Sequence, residues 1–125
     1  MLLLDTHVFL WFINGDSKLP KTMMEAIETE KKVYVSVISF WELAIKNSLG
    51  KLILPCSVSR LMDDCEKMNM SILPIRAQHL EKLKQLPWIH RDPFDRLLIC
   101  QAKAEGLKIV TMDENIRQYE VGFIQ

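Results

Sequence analysis

Apolar positions along the chain change period several times, and the changes divide it into alternating strands and helices. Leu2 to Asp5 is a short continuous apolar run that reads as a strand, followed within a residue or two by a helical pattern ending near Asn14-Gly15. Ser17 to Lys32 places Leu19, Met23, Met24 and Ile27 at helical spacing, with Pro20 where a helix begins. The next run, Lys32-VYVSVIS, is β-branched and aromatic, which predicts a second buried strand. A helix is then predicted from Ile38 to Leu49, closed by Gly50.

Val58 to Met68 is again helical, Ser71 to Pro74 reads as a brief strand, and Arg76 to Leu86 as a helix. After the break at Pro87, Asp92-Pro93 opens a helix that runs through Ala104 and stops at Gly106. Leu107-KIVT is a fourth strand, and Val121 to Ile124 a short final one. Strands that are apolar throughout, alternating with helices, imply an α/β fold: three layers, α/β/α, around a central parallel sheet of four or five short strands. No repeat, linker or low-complexity segment divides residues 1–125, so one domain is expected.

In such sheets ligands bind outside the carboxyl ends of the strands. Asp5 stands at that end of the first strand and Asp113 just beyond the fourth. A right-handed crossover also brings the start of the helix opened by Asp92 and Asp95 to the same edge, so all four aspartates can reach one rim. Taken alone, the Asp92/Asp95 pair has a sufficient structural reading. Asp92 before Pro93 is a helix cap, and Asp95 in the first turn complements the helix dipole. Glu42 lies at the margin of an apolar stripe formed by Ile38, Trp41, Ile45 and Leu49. It leans over the rim or else makes an ordinary i,i+4 pair with Lys46.

Composition narrows the field. The chain has 125 residues, 49% hydrophobic and 26% charged, as expected of a soluble globular domain. Sixteen basic and sixteen acidic residues cancel, so nucleic-acid binding must rely on local features. Cys56, Cys65 and Cys100 have neither zinc nor disulfide spacing and suit a reducing cytoplasm. The apolar N-terminus lacks a basic leader and is interrupted by Asp5 and His7. No signal peptide or membrane span is expected, and the mature chain is expected to start here.

Carboxylates gathered without a cation raise one another's pKa. A hard divalent ion removes that cost, and oxygen donors without organised His or Cys favour Mg²⁺ or Mn²⁺. The chemistry this suits is metal-assisted phosphodiester hydrolysis.

In that order, LLLDTHVFLW, SVISFWELAIKNSLGKLILP, HRDPFDRLLICQA and IVTMDENI resemble the PIN-domain endoribonucleases, and among them the VapC-like toxins of bacterial toxin–antitoxin modules. The resemblance spans nearly the whole chain. It implies a PIN-like fold and a Mg²⁺- or Mn²⁺-dependent ribonuclease, usually a homodimer, silenced by a cognate antitoxin. By position Asp5, Glu42, Asp95 and Asp113 match the family's four acids, the fourth being the position that varies. Asp92 then looks like the helix cap with an auxiliary part in the acidic rim. Thr6, Ser39 and Thr111 match the small hydroxyls beside the acids, though strand-end and capping roles serve them equally.

For an RNA strand, Arg91, Arg96 and Lys46 are the nearby basic candidates, and Trp11, Trp41, Trp88 and Phe94 the nearby rings. Trp41 is expected in the core and Trp11 half-buried. Rival readings fare worse. A phospho-acceptor receiver needs an acidic pair after the first strand and a strand-end lysine, whereas Asp5 has no acidic neighbour and Lys108 precedes its strand. An aspartyl phosphatase needs a second acid two residues after the first, where this chain has His7. A binding module with a decayed site is disfavoured by the presence of all four acids. His7, His79 and His90 have no metal or triad spacing, and no G-x-S-x-G occurs.

Overall fold

Leu2–Leu4 forms the central strand of the computed structural model, which describes residues 1–89, 92–117 and 123–124. The expected phosphate contact at Arg91 and the first half of the expected last strand lie outside those residues. The elements are β1 (Leu2–Leu4), α1 (Thr6–Asn14), α2 (Lys21–Thr29), β2 (Val33–Ser36), α3 (Val37–Ser48), α4 (Val58–Lys67), β3 (Met70–Leu73), α5 (Ala77–Gln85), α6 (Pro93–Glu105), β4 (Lys108–Val110), α7 (Glu114–Arg117) and β5 (Phe123–Ile124).

The five strands pair in the order β3-β2-β1-β4-β5, all parallel. The chain therefore winds outward from β1 through β2 to β3 and then returns to lay β4 on the other side of β1. The β1/β4 boundary is a topological switch point, where a parallel sheet opens a crevice at its carboxyl edge.

Alternate residues of each strand serve opposite faces, and both faces are covered, so strands apolar throughout are what the architecture demands. Leu2, Leu4, Val33, Val35 and Val110 pack with Val8 and Phe9 of α1, Met23 and Ile27 of α2, Phe40 and Leu43 of α3 and Leu61 and Cys65 of α4. Leu3 and Ile109 point the other way, among Leu98, Ile99 and Ala102 of α6 and Ile116 of α7. A fully buried side chain such as Phe9 or Leu98 contributes about 2–3 kcal/mol of hydrophobic stabilisation. Among the described residues no helix is long and apolar enough to cross a membrane.

Two expectations change. The second strand stops at Ser36 rather than Ser39, because the Ser36 hydroxyl accepts the Ile38 N–H and starts α3 without an intervening turn. The predicted stripe of α3 is also displaced. Trp41 and Leu49 are 55% and 62% exposed, while Ile38, Ser39, Phe40, Glu42 and Leu43 are buried. The start of α3 is wedged between α1, α4 and α6 and contributes to both apolar clusters, so its first turns are enclosed on several sides. Trp41 is thus not a core residue; it meets Phe94 edge-on, with centroids 5.1 Å apart.

Candidate active site

The backbone delivers the acids to the switch point. Asp5 follows β1 directly and caps α1, its Oδ1 accepting the Thr6 N–H at 2.7 Å. Its own N–H donates to the Val110 carbonyl, which ties it to the end of β4. Asp92 caps α6, Oδ1 accepting the N–H groups of Phe94 (2.9 Å) and Asp95 (3.2 Å), with Pro93 as the first helical residue. That cap holds Asp95 in the first turn, and at the far end Gly106 takes the left-handed conformation that stops the helix. Glu42 comes from the second turn of α3 and Asp113 from the segment after β4.

These five carboxylates line one open cavity of about 290 Å³, together with Thr6, His7, Trp11, Lys46 and Met112. Asp5, Glu42 and Asp95 are only 9%, 5% and 8% exposed, so the charges are withdrawn from water as well as crowded.

Hydroxyls stitch the acids together. Thr111 Oγ1 donates to Asp5 Oδ2 at 2.8 Å and accepts the Asp113 N–H at 2.9 Å, linking the first acid to the fourth. Thr6 Oγ1 lies 2.9 Å from Glu42 Oε1 and 2.8 Å from Ser39 Oγ. Its single proton goes to the carboxylate, so Ser39 donates to Thr6. Of the three hydroxyls expected beside the acids, Thr6 and Thr111 bond them directly and Ser39 reaches Glu42 only through Thr6.

Lys46 Nζ donates to Glu42 Oε2 at 2.7 Å. The i,i+4 pair does form, but with its carboxylate buried in the cleft wall. The hydrogen bond to Glu42 is the main cause that raises the pKa of Lys46, with Asp92 and Asp95 adding to it. The pKa of Asp5 is also raised, chiefly by burial; the hydrogen bond from Thr111 works against that shift, and the Glu42 charge adds to it.

The donor set, carboxylate oxygens in a water-accessible cleft, fits a hard divalent cation. The spacing does not form a closed cage: among the described residues no three Asp, Glu, His or Cys side chains stand close enough to hold an ion as they are. The Lys46 ammonium supplies positive charge in the same cleft.

Arg96 has another commitment. Buried, it donates from Nη1 to the Pro87 carbonyl (2.9 Å) and from Nη2 to that of Leu86 (3.3 Å), and its guanidinium stacks 3.8 Å above the Trp88 ring. It braces the segment between α5 and α6. Two cleft residues were not foreseen. His7 and Met112 line the cavity, and Trp11, expected to be half-buried, lines it too. The available signal was spacing: His7 stands two residues after Asp5 and one turn before Trp11 on the same helix.

Comparison with known proteins agrees with this architecture. A family model described as PIN domain matches residues 2–122. The chain is 30% identical over 121 residues to Ribonuclease VapC22 of Mycobacterium tuberculosis (strain ATCC 25618 / H37Rv), covering 94% of this chain and 91% of that one. Similar solved structures include VapBC-1 from nontypeable Haemophilus influenzae, with a TM-score of 0.72 at 18% identity, covering 99% of this chain and 96% of that one. Another is VapBC2 from Rickettsia felis bound to a DNA fragment from their promoter, with a TM-score of 0.71 at 16% identity and coverage of 98% and 96%. At these identities the two structures support the fold alone.

Proposed function

The chain belongs to the PIN domain family, and on that premise we propose that it is a Mg²⁺- or Mn²⁺-dependent endoribonuclease, the toxin of a toxin–antitoxin pair. The observation that carries the reading is the convergence of Asp5, Glu42, Asp95 and Asp113, from four separate segments, on one cleft at the switch point. The similarity to a protein named as a ribonuclease supports the activity, and the VapBC neighbours support the fold. In this reading residues 1–125 act as one unit in the cytoplasm, as a homodimer held silent by its antitoxin.

Asp5, Glu42, Asp95 and Asp113 would hold the ion, which supplies water activation and stabilises the leaving oxygen of the phosphodiester. The chain's own part is orientation. Thr111 and the Thr6 N–H fix both oxygens of Asp5, and Thr6 fixes one oxygen of Glu42, so these carboxylates are held in place before substrate arrives. Asp92 serves Asp95 by setting the start of α6. Lys46 neutralises part of the Glu42 charge through Oε2, and were Glu42 to hold the ion its ammonium would be available to a phosphate oxygen.

The test is RNA cleavage by the purified chain with Mn²⁺, with EDTA, and beside an identically prepared Asp5→Asn protein. Cutting that requires Mn²⁺ and is absent from the variant is the expected result. Cutting that survives EDTA or the substitution would refute the assignment.

A further inference from the structure

Among the described residues, five carboxylates and one lysine line the cleft, so phosphate attraction alone is a poor way to hold RNA there. Neutral contacts have to supply much of the grip. Two of the remaining lining residues are aromatic and stacked on one another. His7 and Trp11, one turn apart on α1, have nearly parallel rings, 19° between planes and 6.1 Å between centroids. Trp11 is half-buried against the apolar cluster, which fixes its ring, whereas His7 is exposed. The pair starts two residues after Asp5 and lines the same cavity, so it is continuous with the acidic site. Met112, 46% exposed, adds a polarisable apolar wall from the segment after β4.

Resting on the ribonuclease reading above, we infer that the His7–Trp11 pair is a stacking subsite for an unpaired nucleobase next to the scissile phosphate. Every base has a π-face, so such a surface grips a strand without requiring one sequence. A base in a duplex has both faces covered by its neighbours and offers none to the pair.

The exposed ring of His7 packs into no core, so His7→Ala leaves the fold intact and carries the test; Trp11→Ala accompanies it with thermal melting as a folding check. Binding of a short random-sequence single-stranded RNA is read by fluorescence anisotropy, with Ca²⁺ replacing Mn²⁺ to keep the strand whole. Each alanine variant is expected to weaken binding by about tenfold or more, since stacking contributes roughly 1–3 kcal/mol per base. Trp11→Phe keeps an aromatic face and is expected within about threefold of wild type. Trp88→Ala, outside the cleft, is expected to bind as wild type does. Unchanged binding in a folded His7→Ala protein, or a duplex that binds as tightly as the single strand, would overturn the subsite. Ring-dependent binding by a chain that never cuts in Mn²⁺ would uphold the subsite and refute the ribonuclease reading instead.

Discussion

At its N-terminal end α6 presents Asp95 to a cleft shared with Asp5, Glu42, Asp92 and Asp113, whereas at its C-terminal end Gln101 and Glu105 close around His79. Both clusters are polar and largely withdrawn from solvent. In the second, every charge has a counterpart. His79, wholly buried, accepts the Arg76 N–H at Nδ1 (2.9 Å), which leaves its proton on Nε2, facing Glu105 Oε2 at 3.3 Å. Glu105 also accepts from Gln78 Nε2 at 2.6 Å and lies 3.9 Å from Arg76 Nε. In the first, among the described residues, five carboxylates gather with the Lys46 ammonium held on Glu42. With His79 bonded through both ring nitrogens, that cluster serves stability. Crowded carboxylates opening to water resist joint ionisation until a cation binds, and that crowding marks the working end of the helix.

Substitutions can break this contrast. The largest effect is expected for Asp95→Asn or Asp5→Asn, with cleavage lost by about 1,000-fold or more while circular dichroism and melting show an intact fold. His79→Ala should do the reverse. Removing the buried ring strands the Arg76 N–H and costs about 2–4 kcal/mol in urea unfolding, with cleavage per folded molecule unchanged. Asp92→Ala should cost about 1 kcal/mol as a lost cap, and Asp92→Asn close to nothing in stability or rate, because asparagine also caps. An activity collapse in Asp92→Asn equal to that of Asp95→Asn would move Asp92 into the metal site. Lys46→Met should also have a small effect on stability. Its side chain is 36% exposed, so the Glu42 pair contributes under about 1 kcal/mol. Removing the competing ammonium should tighten Mn²⁺ binding, measured by calorimetry.

Acidity sharpens the same comparison. Burial raises the pKa of Asp5 above its ordinary 3.8, so the folded protein binds a proton at this site more readily than the unfolded chain does. Its contribution to metal-free stability is most favourable below the ordinary value and declines as pH climbs through the raised one. The stability advantage of Asp5→Asn over wild type, measured in EDTA, should therefore widen from acidic to neutral pH. Lys46, raised above 10.5, contributes its stability below that value and loses it only as pH rises through the native one, so it leaves this window flat.

The sheet was legible because β1, β2 and β4 are buried on both faces and so are apolar without alternation. The start of α6 was legible because Asp92 announced it as a cap, whereas the capping roles of Asp5 and Ser57 were not read and their helices were placed from periodicity alone. Ser36 was missed since its capping role lies inside a β-branched run that continues into the helix. Trp41 was misplaced because a helical wheel assumes one buried side, and α3 begins between layers. The acids could be placed at one edge from chain direction alone. What sequence could not give was the competition inside the cleft, namely Lys46 on Glu42 and Thr111 on Asp5, which depends on distances between elements far apart in the chain.

The most direct test of the central claim is thermal melting with EDTA and then with excess Mn²⁺, on wild type and Asp5→Asn side by side. If the carboxylates are strained until a cation arrives, wild type should melt higher with Mn²⁺, while the variant should melt at or above metal-free wild type and barely respond. A wild type indifferent to Mn²⁺, or an equal shift in both proteins, would contradict the account.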